Sequence, residues 1–92
     1  MASVIVTIKI MPESPEVDLA GLETVAKEKI AAFAGEGDLK SEQIPIAFGL
    51  KSLNLTFVMD EDKGSTEPIE KEIAGIEGVN SAEVIDVRRA IG

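Results

Sequence analysis

The sequence contains no cysteine and no histidine among its 92 residues. This excludes disulfide bridges, thiolate nucleophiles, imidazole bases and zinc sites built on these residue types. Aromatic residues make up only 3% of the chain whereas 45% of all residues are hydrophobic, so any core must be mainly aliphatic. No apolar run reaches the roughly 18–20 residues of a membrane-spanning helix. The N-terminal residues alternate polar with apolar, which is typical of a strand and not of a signal peptide.

Positive charge is also scarce, since 9 Lys and Arg face 17 Asp and Glu and the formal net charge is -8. A nucleic-acid-binding protein needs a positive surface to displace counterions from phosphates. We therefore expect no direct nucleic-acid partner, and no membrane partner. An acidic chain suits either contact with a basic protein surface or solubility alone. The absence of cysteine is compatible with a reducing compartment, and we expect a cytoplasmic location.

Four segments are predicted to form strands, and two of them, 3–11 and 50–59, alternate with the period of two that is typical of half-buried strands. The four segments cover residues 3–11, 39–47, 50–59 and 79–87. Pro45 within the second segment predicts an edge position or a bulge, because proline cannot donate to a strand ladder. The alternation assigns one face of the first and third strands to a shared core, formed by Val4, Val6, Ile8, Ile10, Leu53, Leu55 and Phe57.

Two further segments show the three- and four-residue spacing of an amphipathic helix. The first spans about 18–34, where the Asp18 side chain is placed to accept a backbone N–H and Gly35 and Gly37 end the helix. The second begins at Ser65 or Thr66, with Pro68 in its first turn, and Gly75 and Gly78 close it. The apolar residues assigned to the two helices are Leu19, Leu22, Val25, Ala26, Ile30, Phe33, Ile69, Ile73 and Ile76.

The resulting order, βαββαβ, predicts an α+β fold of the ferredoxin-like type. In this sandwich a four-stranded antiparallel sheet carries both helices on one face. With no linker or low-complexity tract, residues 1–92 are expected to form a single domain.

Carboxylates are concentrated in two loops, around Asp60, Glu61 and Asp62 and around Glu13, Glu16 and Asp18. Loop carboxylates are suitable calcium ligands, but their spacing does not match an EF-hand loop, and solvated turn charges are the simpler interpretation. Neither GxxxxGK[ST] nor GxGxxG is present. The sequence therefore predicts no catalytic residue, no metal site and no cofactor.

Two features remain as candidate binding residues. Phe48 lies between Ala47 and Gly49 in a tight connection, where it either folds back into the core or projects as an aromatic anchor for a partner. Arg88 and Arg89 either contact carboxylates or a nucleotide-site surface on a partner, or balance nearby acids such as Glu83 and Asp86. The residues alone leave both pairs of alternatives open.

Three separated segments resemble archaeal translation elongation factor 1-beta. They are VTIKIMPESPEVDL (6–19), IPIAFGLKSLNL (44–55) and IEGVNSAEVIDVRR (76–89), in family order along nearly the whole chain. The resemblance implies the ferredoxin-like fold and a guanine nucleotide exchange role. Its implied partner is the GTPase elongation factor 1-alpha, whose nucleotide site the factor opens so that GDP leaves and GTP enters. The chain would be a monomer alone and would not be an enzyme, because this exchange needs no covalent step.

The resemblance also implies site residues. Phe48 matches the aromatic residue that inserts into a pocket on the GTPase, Pro45 and Gly49 match residues that shape its loop, and Lys51 matches a basic residue beyond it. Eukaryotic relatives use a lysine beside their C-terminus to disturb the magnesium and phosphate site. This sequence has no such lysine, so Arg88 and Arg89 are the candidates for that region.

Two other function classes are compatible with the predicted fold, because a fold does not determine a function. A small ACT-type regulatory module would share a turn like the one at 76–79, bind a small ligand and dimerise through sheet edges. An acylphosphatase-like enzyme would need an Arg and an Asn around a phosphate-binding loop after the first strand. The first loop here is acidic and proline-rich, which argues against the enzyme.

Overall fold

The computed structural model describes residues 3–35 and 39–90. It contains four strands and two α-helices in the predicted order. Their bounds are β1 Ser3–Pro12, α1 Leu19–Ala34, β2 Leu39–Pro45, β3 Lys51–Asp60, α2 Glu67–Ala74 and β4 Val79–Ala90, with a short 3₁₀ helix Glu61–Lys63 before α2. No helix in this part of the chain is long and apolar enough to cross a membrane.

The strands form one sheet in the order β2-β3-β1-β4, with every neighbouring pair antiparallel. This arrangement confirms the ferredoxin-like α+β prediction. It makes β1 and β3 the central strands and leaves β2 and β4 at the edges. Pro45 ends the edge strand β2, as its missing N–H predicts.

The core lies between one face of the sheet and the two helices. Each central strand contributes every second side chain, as the alternation predicts, and the helices cover them with short apolar stripes. The buried hydrophobic residues of the described chain are Val6, Ile8, Ile10, Leu22, Ala26, Ile30, Leu53, Leu55, Phe57, Met59, Ile69, Ile73 and Val79. The other face of the sheet carries no helix, and alternate residues such as Ile5, Thr7 and Thr56 lie on it.

The structure corrects two predictions about α1. Asp18 occupies the N-cap position with an extended backbone, but its side chain makes no capping hydrogen bond. Val25, assigned to the buried stripe, is 38% exposed, because the inward face follows the four-residue spacing of Leu22, Ala26 and Ile30. Gly35 ends the helix with a φ of 89°, whereas the predicted stop at Gly37 lies outside the described residues.

At the start of α2, one residue occupies the N-cap position and another makes the side-chain hydrogen bond. Thr66 is the N-cap without a side-chain cap bond, while the Ser65 hydroxyl accepts the backbone N–H of Glu67 at 3.0 Å. Pro68 lies in the first turn, as predicted. Ile69 and Ile73 are fully buried, which fixes this eight-residue helix against the sheet despite its small size.

Strand β4 is longer than predicted and contains a bulge. It continues to Ala90, three residues beyond the expected end, because Ser3–Ile5 of β1 pair with Arg88–Ala90. Thr7 pairs with Asp86 and Ile8 with Val84, so Ile85 has no partner in β1. Ile85 is 48% exposed, and a bulge of this kind typically bends the strand that contains it.

Candidate partner-binding site

The β2–β3 connection is a tight hairpin whose tip is formed by Phe48 and Gly49. The Ile46 N–H donates to the Leu50 carbonyl and the Leu50 N–H donates to the Ala47 carbonyl, both at 2.9 Å. Phe48 has a φ of 56° and Gly49 a φ of 79°. Positive φ at both central positions is the signature of a type I′ turn, whose twist matches that of the flanking strands.

Phe48 is 96% exposed. The structure therefore rejects the interpretation in which its ring folds back into the core. Among the described residues it is also the only non-glycine residue with a positive φ, a conformation that costs an L-residue roughly 1–2 kcal/mol. A strained bulky residue whose ring contacts little of its own protein contributes nothing visible to folding, which points to a role in binding.

The residues predicted to accompany Phe48 lie around the same tip. Pro45 and Lys51 form the last pair of the β2–β3 ladder, and Gly49 supplies the second positive φ of the turn. Lys51 is exposed at the start of β3. The structure thus brings Pro45, Phe48, Gly49 and Lys51 together at one end of the sheet.

Two neighbouring apolar residues were missed by the sequence reasoning. Ile44 is 37% exposed and Ile46 is 47% exposed on the β2 arm of the hairpin. With Phe48 they form an apolar tip surface at an edge where the described structure places no covering helix. The signal was present, since two isoleucines flank Pro45 in an otherwise polar strand, but alternation alone did not show that this strand has no buried face.

Arg88 and Arg89 lie at the opposite end of the sheet, on different faces. In the ladder between β4 and β1, Arg88 pairs with Ile5, whose side chain lies on the helix-free face, whereas Arg89 pairs with Val4, whose side chain lies on the helix side. Each is engaged by a carboxylate of its own chain. The Arg88 Nε lies 2.9 Å from an Asp86 oxygen and the Arg89 Nη2 lies 2.9 Å from Glu61 Oε2, with side-chain exposures of 76% and 70% for the arginines.

These contacts agree with the expectation that the arginines balance local acids, although Glu61 takes the place that Glu83 was given. They do not exclude partner binding, because exposed ion pairs contribute little to stability and exchange readily. The two arginines are therefore available on both sides of the same strand end.

The two groups of predicted residues are separated by the length of the sheet. Arg89 pairs with Val4, and Val4 pairs with Met59 of β3. Met59 lies eight residues from Lys51 at the hairpin end, a span of about 26 Å at 3.3 Å per residue. The structure does not bring the arginines near Phe48, so one small pocket on a partner cannot contact both.

The acidic loop after β3 is occupied by local contacts. An Asp60 oxygen accepts the backbone N–H of Asp62 at 3.0 Å, and Glu61 binds Arg89. Within the described ranges, no group of three or more acidic side chains is arranged to hold a metal ion.

Comparison of the sequence with known proteins identifies the family of this chain. Residues 5–90 match the model of the EF-1 guanine nucleotide exchange domain. The chain is 47% identical over 89 residues to elongation factor 1-beta of Methanothermobacter thermautotrophicus, covering 97% of this chain and 98% of the relative. It is 45% identical over 89 residues to elongation factor 1-beta of Methanosphaera stadtmanae, with the same coverage. It is also 44% identical over 90 residues to elongation factor 1-beta of Methanosarcina barkeri, covering 97% of this chain and 99% of the relative. The chain therefore belongs to the elongation factor 1-beta family and carries its guanine nucleotide exchange domain.

Proposed function

We propose that this protein promotes exchange of GDP for GTP on the GTPase elongation factor 1-alpha, and that the hairpin tip is its principal contact. The observation that carries the proposal is the exposed ring of Phe48 on a strained turn. Membership of the exchange family supplies the identity of the reaction. We place the activity in the cytoplasm, where translation occurs, with the whole chain 1–92 acting as one domain and no direct contact with nucleic acid.

Exchange of this kind is a matter of differential binding. The factor must bind the nucleotide-free GTPase more tightly than the GDP-bound form, and the ratio of the two affinities limits how far GDP binding is weakened. No bond is made or broken on the factor, so the activity requires neither a nucleophile nor a cofactor. Truncation of an aromatic anchor that fills a partner pocket typically costs about 2–4 kcal/mol of binding free energy, roughly 30- to 1000-fold in affinity.

The arginine end provides a second contact in this proposal. A guanidinium group binds phosphate and carboxylate oxygens in a planar, bidentate geometry. Arg88 or Arg89 would approach the nucleotide site in place of the terminal lysine of eukaryotic relatives, releasing Asp86 or Glu61. With about 26 Å of sheet between the two ends, Phe48 would hold the GTPase at one place while an arginine acts at another.

The sheet edges favour a monomer over the dimer of an ACT-type module. Pro45 lacks the N–H that an added strand would need at the end of β2. The bulge at Ile85 bends β4 and interrupts the regular row of backbone groups on the other edge. Both features oppose edge-to-edge pairing, so no observation on the described residues favours the regulatory alternative.

The direct test is release of a fluorescent GDP analogue from elongation factor 1-alpha, in excess GTP, with and without the factor. The wild-type protein should accelerate release, and Phe48→Ala should raise the half-saturating factor concentration by at least 30-fold while retaining the wild-type melting temperature within a few degrees. No acceleration by micromolar wild-type protein would refute the exchange function. If Phe48→Ala accelerated GDP release as well as the wild-type protein does, the role of Phe48 as an anchor would be refuted, but the exchange function would not.

A further inference from the structure

The hairpin that carries Phe48 has little support from the rest of the fold. In β2, Leu39 is half-buried and the six residues that follow are all exposed. The strand hydrogen-bonds only to β3, since it is the outermost strand of the sheet. β3 has a buried face that includes Ser52 and Leu53, whereas β2 has none beyond Leu39, and the tip lies past the last ladder pair of the two strands. A segment with so few buried contacts is among the more mobile parts of a fold. Precise presentation of an aromatic anchor from such a segment requires a brace.

One close approach at the tip is suited to that task. A β-carbon added at Gly49 would lie 3.8 Å from Pro15 Cβ and 4.0 Å from Pro15 Cγ, so the turn backbone passes close to the proline ring. Pro15 belongs to the β1–α1 loop, residues 13–18, which reaches the same end of the sheet as the hairpin. A cleft of about 330 Å³ lies between this loop and the hairpin, with Gln43, Gly49 and Lys51 on the hairpin side.

The β1–α1 loop is itself fixed, so Pro15 is a firm support. The Glu13 N–H donates to the Gly78 carbonyl at 2.9 Å and the Val17 N–H donates to the Ser14 carbonyl at 3.2 Å. Gly78 also approaches the loop closely, because a β-carbon there would lie 3.2 Å from Val17 Cγ1. Proline adds its own rigidity by fixing φ near −65°. The turn before β4, the loop and the hairpin tip therefore form one connected end.

We propose that Pro15 is a positioning residue that sets the orientation of the Phe48 hairpin for the GTPase. This inference rests on the proposed exchange function, but it concerns the free protein as well. With the brace in place, the hairpin occupies the binding-competent orientation for most of the time. Without it, only a fraction of molecules is competent, and the apparent dissociation constant rises by the inverse of that fraction. The bound complex is the same, so the exchange rate at saturation is unchanged.

The test compares Pro15→Gly, which removes the ring and its Cβ, with Pro15→Ala, which removes the ring but retains the Cβ. Pro15→Gly should raise the half-saturating factor concentration about 3- to 10-fold with an unchanged maximal rate, and Pro15→Ala should be affected less. In the free protein, the heteronuclear NOE of the Phe48 and Gly49 amides should fall in Pro15→Gly. The matched control is Pro68→Gly at the start of α2, which makes the same chemical change away from the hairpin.

The outcomes separate the brace from the exchange function. Unchanged Phe48 and Gly49 amide relaxation in Pro15→Gly would overturn the proposal whatever the exchange assay shows. A fall in the maximal rate with an unchanged half-saturating concentration would also overturn it, since bracing acts before binding. If Pro68→Gly produced the same loss of affinity, general destabilisation would explain the effect. An inactive wild-type protein would refute the exchange function, and the relaxation measurement would still decide whether Pro15 holds the hairpin.

Discussion

The two ends of the sheet differ in how they hold their candidate binding residues. At the hairpin end, Phe48, Ile44 and Ile46 expose apolar surface, and Phe48 does so in a strained conformation. At the arginine end, Arg88 and Arg89 are exposed but already paired with Asp86 and Glu61. If both ends bind a partner, the first would gain free energy because apolar surface leaves water, whereas the second would exchange one ion pair for another. We therefore expect the hairpin to determine affinity and the arginines to influence the rate of nucleotide release.

The largest effect is expected from Phe48→Asn, which should weaken binding to the GTPase while making the protein more stable. Phe48→Asn should raise the half-saturating concentration by at least 30-fold, as an anchor substitution does. It should also raise the free energy of unfolding by about 1 kcal/mol, because Asn-Gly is favoured in a type I′ turn. Urea denaturation and GDP release would measure the two quantities.

Phe48→Ala is the control for that pair of effects, since it loses the ring but keeps an unfavourable residue at positive φ. It should raise the half-saturating concentration to a similar extent as Phe48→Asn, without the gain in stability. If Phe48→Asn were no more stable than wild type, the positive φ of Phe48 would not lower the stability of the protein, and the idea that stability is sacrificed for binding at this position would be wrong.

At the arginine end the expected effect is intermediate. The double variant Arg88→Ala/Arg89→Ala should lower the maximal rate of GDP release about tenfold, a loss of about 1.4 kcal/mol, with a smaller change in the half-saturating concentration. Stability should change by less than about 1 kcal/mol, because both ion pairs are exposed. Stopped-flow release at saturating factor measures the rate.

Lys27→Ala provides a matched control, because Lys27 forms an exposed ion pair with Glu23 at 3.0 Å on α1, away from either end of the sheet. The two single arginine variants then show which face of β4 meets the partner. A wild-type maximal rate in the double variant would remove the arginine end from the mechanism and leave the hairpin alone.

The smallest expected effect concerns the residue that accompanies the anchor. Ile46→Thr retains the β-branched shape but removes apolar surface, and should raise the half-saturating concentration about 5-fold, near 1 kcal/mol. Val25→Thr is the control, since Val25 is another exposed β-branched residue, 38% exposed on α1. Equal effects of the two substitutions would limit the hairpin contact to Phe48.

Much of the fold could be predicted because it depends on local periodicity. Alternation in β1 and β3 identified the core face of both strands, and Pro45 indicated an edge position or a bulge, of which the structure shows the edge position. Besides the two corrections in α1, predictions failed where distant partners decide the outcome. The end of β4 depends on pairing between Ser3 and Ala90, and no pattern within residues 79–87 contains that information.

The candidate site shows the same division. Phe48 could be singled out because an aromatic residue beside a glycine in a turn is unusual, but its exposure depends on how the hairpin sits relative to the helices. Arg88 and Arg89 are adjacent in the sequence and were treated as one feature. In an extended strand adjacent side chains face opposite ways, so the fold separates them.

The bulge at Ile85 has a consequence for how β4 tolerates changes in length. Val84 pairs with Ile8 and Asp86 with Thr7, so loss of Ile85 would join two stretches that already share one alternation. At a regularly paired position of a strand, loss of one residue instead inverts the side chains that follow. Within residues 81–90, the bulge is thus the position at which β4 can lose one residue while Arg88 and Arg89 remain on the same faces of the sheet, and Asn80, at the second register shift of this strand, is another such position.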